Sequence, residues 1–315
     1  AGGGLSAGSV ALYTTSIPII LAAFIIGFLI TLLIKLLGRA ALPPFFIQII
    51  AALSVTLVST GILWLVNHKY WEFFALIDPT ILTVGGIVLL VAGMMIVGAF
   101  QDAIDEYYVT ASARLLKVVM LTLGIVLGVS MGLYAARQFG LAFVATPDSL
   151  SFTNTTYQYI GAVIISASFA LSNNSRPVGL LITGASGLLG YYVLLAVSEL
   201  GLIIIPANAV AGFTVGFTAT VVSRLTRIPS QAIIDAGIVP LVPGLTLYNG
   251  LMALVANPAA ADGTLLLMRA ILIAVAIAAG ASFGVLIGRP TRRSLVTLRN
   301  NLPERPLRSN QKQLK

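Results

Sequence analysis

Long apolar runs separated by short polar breaks dominate the chain, and they set its architecture before any motif is considered. A helix that spans a bilayer needs about 20 predominantly apolar residues. Nine runs read as such spans: 17–37, 45–66, 79–99, 116–136, 159–172, 178–199, 203–222, 235–255 and 268–288. The stretch 2–15 is also apolar but short, and reads as a tenth, incomplete span whose beginning is missing. The pattern predicts an all-α fold, a polytopic membrane helical bundle.

Composition agrees with the pattern: 58% of the 315 residues are hydrophobic and only 9% are charged, where a soluble domain has about a quarter charged. Cysteine is absent and His68 is the single histidine, so thiolate chemistry, disulfides and a histidine-built metal site drop out. No cofactor is implied. The formal charge of +8 does not point to nucleic acid, because the basic residues sit at the ends of apolar runs rather than among aromatics on one face. They read as topology signals. Positive charge is retained on the cytoplasmic side. If the C-terminus is cytoplasmic, then Lys35, Arg39, Arg114, Lys117, Arg176, Arg224, Arg227 and eight tail residues share that side, against Lys69, Arg137 and Arg269 opposite. The expected location is a cell (plasma or inner) membrane, with the basic tail lying against anionic lipid.

Internal similarity adds the next layer. Gly86-Ile-Val-Leu-Leu-Val-Ala-Gly93 matches Gly237-Ile-Val-Pro-Leu-Val-Pro-Gly244 at six of eight positions. Arg114 then aligns with Arg269, and a glycine ladder at 124, 128 and 132 with one at 280, 284 and 288, given a small insertion near Pro258–Asp262. Glycines every fourth residue let helix backbones approach closely in lipid. The two copies start on opposite sides of the membrane, so the expected arrangement is two inverted-topology five-helix repeats. The first covers residues 1–137 and the second 159–288, with an extracytoplasmic connection 138–158 and a basic cytoplasmic tail 289–315. Inverted repeats recur in secondary transporters, whose solute site lies near the midplane.

Candidate chemistry follows from the few residues that break the apolar pattern. Pro240 and Pro243, followed by Gly244, sit inside a span and predict a broken helix that lines the solute path, since freed backbone is tolerated at membrane depth only inside protein or a watery cavity. Tyr248 and Asn249, a turn further on, are expected polar contacts. A zwitterionic solute needs a cation for its carboxylate and an acceptor for its ammonium. Asp102 and Arg114, at the two ends of one short connection, supply that pair, with the hydroxyls of Thr110 and Ser112 nearby. Asp102 and Asp235 are the proton-coupling candidates. Two sequons, at Asn154 and Asn173, match the glycosylation pattern only weakly.

The blocks Gln101-Asp102, Val109-Thr-Ala-Ser-Ala-Arg114 and Gly237 to Gly244 with Tyr248, together with Leu42-Pro43 and Phe45-Phe46, resemble the membrane part of the bacterial threonine/serine exporter family. The resemblance covers essentially the whole chain. It implies a ten-helix exporter of two five-helix halves, releasing threonine, serine and related small amino acids by antiport on the proton motive force. It carries Asp102, Thr110, Ser112, Arg114, Pro240, Pro243, Gly244 and Tyr248 over as path residues. It departs from the pattern in lacking the soluble, hydrolase-like N-terminal portion that family members often carry, and in having Ala92 where the second copy has a proline, which predicts a less broken helix in the first half. Expected partners are a small amino-acid substrate and membrane lipid, with a homo-oligomer or a separate soluble domain or subunit as further partners. The competing class is a passive channel for a small polar solute. An enzyme is not expected, for no nucleophile system, His-Glu-x-x-His cluster or ATP-binding loop is present.

Overall fold

The structure, a computed structural model, describes residues 1–67, 79–90, 93–138, 152–256 and 261–300. The expected outer loop at 69–78, Ala92, most of the connection 138–158, the Pro258 to Ala260 part of the expected insertion and the tail beyond 300 lie outside the described residues.

Twelve α-helices and no strand make up the described chain. They are α1 (Gly2–Ala11), α2 (Ile17–Arg39), α3 (Pro44–Asn67), α4 (Pro79–Leu90), α5 (Gly93–Ile104), α6 (Tyr108–Gln138), α7 (Thr155–Ser172), α8 (Pro177–Glu199), α9 (Ile204–Thr226), α10 (Ser230–Ile238), α11 (Gly244–Ala256) and α12 (Ala261–Asn300). Among the described residues, six helices are long and apolar enough to cross a membrane. A seventh span results if Ser230–Leu241 and Gly244–Leu254, bent by 52°, count as one. Helix covers nearly all of the described part of each expected apolar run except 235–255, which is split between α10 and α11. The helix ends differ where charge begins. α6 starts at Tyr108, a full two turns before its apolar stretch, and α12 continues to Asn300. Hydropathy registers only the part of a helix suited to hydrocarbon, while backbone hydrogen bonding carries the helix on into water.

Local signals explain the helix starts. Proline occupies the first turn of α2 and of α8, where its missing N–H leaves no bond unmade. Asn154, half of a sequon in the sequence, is the N-cap of α7 and accepts from the backbone of Thr156 at 3.2 Å. α2 shows how the bundle meets its solvent. Ile17, Leu21, Phe24, Phe28, Leu32 and Leu36 are exposed along one face, whereas Ile19, Ala23, Ile26 and Ile30 are buried on the other. Such an apolar outer face suits lipid.

Lipid tails are as apolar as leucine, so packing rather than water exclusion holds the helices together, and small residues decide where they touch. The ladder of α6 lies on α3: a methyl group added to Gly124 would meet the Phe45 carbonyl at 3.0 Å, one on Gly128 would meet Ala52 Cβ at 2.8 Å, and one on Gly132 would meet Thr56 Cβ at 2.7 Å. The ladder of α12 lies on α9 in the same way, Gly280 against Ala209, Gly284 against Phe213 and Gly288 against Thr220. In both pairs the contact numbers rise together along the two helices, so each pair runs in one direction. Between the halves, α1 crosses α7 at Gly8 and Gly161, where a methyl group added to either would stand 3.0 or 2.8 Å from the other's carbonyl.

Helices α5 and α11 each pack into the opposite half. Ile96 and Val97 of α5 belong to an apolar cluster built mainly by α7 to α12, while Tyr248 of α11 belongs to one built mainly by α1 to α6. Gly93 and Gly244, the matched ends of the two repeat blocks, meet where these segments pass: a methyl group on Gly93 would touch Val242 and lie 3.4 Å from Gly244 Cα.

Candidate functional site

The second-half break forms as its prolines require. α10 ends at Ile238, a 3-10 turn covers Val239–Leu241, Val242 is extended at ψ 130°, and α11 begins at Gly244. Pro240 and Pro243 have no N–H to continue the helical ladder, so the chain closes tighter bonds instead, from Val242 to the Val239 carbonyl and from Gly244 to that of Val242. In the first half, α4 ends at Leu90 and α5 begins at Gly93, with Ala92 outside the described residues. There the Gln48 side chain reaches across from α3, its Nε2 donating to the Leu90 carbonyl at 3.4 Å.

The second-half break and the facing ends of α4 and α5 wall a cavity of about 760 Å³. Leu90, Gly93, Met94 and Met95 line it from the first half, and Val239 to Thr246 with Asn249 from the second. Pro240, Pro243, Gly244 and Asn249 are therefore brought together as the sequence suggested. Tyr248 is not among the lining residues. It is fully buried in the cluster with Leu82, Ile87 and Val55, pointing about 100° around α11 from Asn249, which does line the cavity.

A second cavity of about 670 Å³ lies on the other side of Met94, Met95 and Phe169, the residues that line both. It holds the charges. The α5 and α6 helices form a hairpin whose turn closes at Glu106 in the left-handed region, φ 67°, with Tyr107 N–H donating to the Asp102 carbonyl at 2.7 Å. The hairpin sets Arg114 back alongside Asp102, and Arg114 Nη1 lies 3.0 Å from Asp102 Oδ2. Gly98 leaves room for that guanidinium, since a methyl group there would stand 3.1 Å from Nη1. Asp235, from α10, faces the same cavity, half-buried and accepting from Gln231 Nε2 at 2.8 Å. The two acids separated by 133 positions in sequence thus share one chamber with Arg114, Lys117 and Arg289. Thr110 and Ser112 line neither cavity. Both are exposed, and the Ser112 hydroxyl donates to the Val109 carbonyl at 3.0 Å.

Sequence reasoning missed Gln48, Asn208 and Arg269 in the first cavity, and Gly98, Lys117 and Arg289 in the second. For Gln48 and Asn208 a signal existed, since each is a polar residue inside an apolar run.

An all-helical bundle with an apolar outer face and two internal chambers beside a broken helix defines a polytopic membrane protein. Two family models cover most of it: "Putative threonine/serine exporter" matches residues 1–135 and "Threonine/Serine exporter, ThrE" matches residues 158–287. The chain belongs to the threonine/serine exporter family. It is 31% identical over 279 residues to the "Threonine/serine exporter" of Corynebacterium glutamicum, which covers 87% of this chain and 55% of that protein. It is 30% identical over 265 residues to the "Probable threonine/serine exporter" of Mycobacterium tuberculosis, covering 82% of this chain and 48% of that protein. The chain spans about half the length of these curated relatives. No solved structure matches it.

Proposed function

We propose that this chain is the membrane part of a secondary transporter that exports threonine, serine and similar small polar amino acids across the cell membrane, driven by the proton motive force through alternating access. The observation that carries this reading is the pair of chambers separated by Met94, Met95 and Phe169, where α5 passes the break between α10 and α11. A partition of flexible and aromatic side chains between two polar chambers is what a solute must pass if the protein opens to one side at a time. Asp102 and Arg114 serve the solute's cytoplasmic route, and Asp235 carries the coupled proton. The inverted relation of the halves is supported by the matched packing of α6 on α3 and α12 on α9, and by the contacts Gly8 with Gly161 and Gly93 with Gly244.

Counterflow of labelled threonine into proteoliposomes of the full-length protein tests the function. Accumulation above equilibrium is expected, whereas equilibration with no countertransport and no dependence on pH would make it a passive channel. In the same assay, Asp235→Asn is expected to keep threonine exchange while losing the response to an imposed pH gradient. Orientation has its own test in this cysteine-free chain. With Arg176→Cys and Asp262→Cys made singly, an impermeant thiol reagent on intact cells should label the second and not the first; the reverse would invert the topology.

A further inference from the structure

The polar side chains around the 760 Å³ cavity divide into two groups. The first is satisfied within the protein: Tyr191 donates to Gln158 Oε1 at 2.8 Å, Gln158 Nε2 to the Thr153 carbonyl at 2.6 Å, Ser9 to the Leu5 carbonyl at 2.8 Å and Ser198 to that of Leu194 at 2.7 Å. The second group is three carboxamides, Gln48 from α3, Asn208 from α9 and Asn249 from α11, whose side-chain oxygens are buried without a donor. Asn208 is 2% exposed and its Nδ2 is held by the Ile204 carbonyl at 2.7 Å, which fixes the amide. Gln48 is fixed in the same manner by the Leu90 carbonyl of α4. A buried oxygen with no donor costs about 1–3 kcal/mol, so three such oxygens around one cavity call for a donor that enters it, from water, an ion or a ligand. Arg269 of α12 lines the same cavity and makes no ion pair among the described residues.

We propose that Gln48, Asn208 and Asn249 bind the ammonium group of an α-amino acid, and that Arg269 takes its carboxylate. The assignment rests on the transport reading above and gives it a binding site. A primary ammonium carries three N–H donors and no acceptor, and three neutral oxygens match that inventory while leaving the site free of the fixed charge that would hold a cation too tightly to release it. A planar guanidinium accepts a carboxylate through two parallel bonds. Arg269 is the repeat counterpart of Arg114, so each chamber has a guanidinium to receive the carboxylate as the solute moves between them.

Binding to the purified full-length protein tests the site, with L-threonine compared against 2,3-dihydroxybutanoate, which keeps the carboxylate and hydroxyl but lacks the ammonium. Wild type is expected to bind threonine and to ignore the analogue. Asn249→Leu or Gln48→Leu should weaken threonine binding about tenfold or more, the factor expected when a hydrogen bond to a charged group is lost. Arg269→Gln should do likewise, while Arg269→Lys retains part of the affinity. Because altered amides can also disturb folding, a Thr246→Cys variant leaves all four groups in place and reports occupancy from the cavity wall: threonine should slow its modification by a methanethiosulfonate reagent. Leucine variants that bind threonine as wild type does would overturn the site and leave the export function standing. A wild-type protein that binds and exports no amino acid would overturn both. Protection of the Thr246→Cys variant by sodium alone, with no effect of threonine, would overturn the site in favour of an alkali-cation site.

Discussion

Asp102→Asn and Arg114→Gln are each expected to abolish threonine efflux while leaving the amount of membrane-inserted protein unchanged, and the double variant is expected to be no worse than either single one. The 3.0 Å ion pair is only partly shielded, with Arg114 47% and Asp102 22% exposed. A pair so open to solvent adds about 0–1 kcal/mol to stability at most, so its loss does not threaten the fold. The chamber around it is where the charges matter. Asp105, Asp235, Lys117 and Arg289 face the same space, and a zwitterion crossing it must exchange its water shell for groups of matching charge. With one partner neutralised, the other is left to hold the solute's opposite end with no release partner, which accounts for the equal effect of either change and of both. Efflux from threonine-loaded cells, normalised to protein in the membrane fraction, measures it. Wild-type rates in both single variants would reduce the pair to a tie between two helix ends.

Gly280→Leu is expected to be the most damaging structural change outside the chambers. The position where a side chain would begin is already occupied by the Ala209 carbonyl, with Ala209 C and Phe213 N both 2.9 Å away. These are backbone atoms and cannot swing aside, so α9 and α12 must separate along the ladder that also contains Gly212, Gly216 and Gly284. Overpacking costs about 1–3 kcal/mol where side chains can adjust, and more where they cannot. In lipid no hydrophobic effect between helices offsets the loss. A large fall in apparent melting temperature is therefore expected in detergent. Leu286→Ala, on the same helix at a 56% exposed lipid-facing position, should change it little. Similar melting for the two variants would mean that the ladder does not set the α9/α12 distance.

The Asn154 sequon shows in miniature how a local pattern acquires meaning from its surroundings. In the sequence it is a modification motif of low specificity, and in the fold its side chain closes the first turn of α7. Thr110 and Ser112 show the same from the other direction. Their hydroxyls stand within one of the blocks that resemble the exporter family, yet both are on the exposed side of α6, away from either chamber.

Apolar run length by itself determined the helical membrane class, because hydrocarbon demands internally satisfied backbone and about 20 apolar residues per crossing. Proline chemistry determined the break at Pro240 to Gly244, because a missing N–H acts within one turn of its own residue. Glycine spacing determined which helix faces would pack closely. Only tertiary structure decided the rest. That Asp235 shares a chamber with Asp102 and Arg114 depends on α10, packed on α8 and α9, facing α5, α6 and α12 across the cavity, and no local pattern encodes that arrangement. Tyr248, expected on the path, was turned into the first-half core while Asn249 beside it reached the cavity. Adjacent residues on a helix differ by about 100° in direction, so a shift of one position in sequence separates a cavity wall from an apolar core, and the orientation is fixed only when α11 packs across to the opposite half.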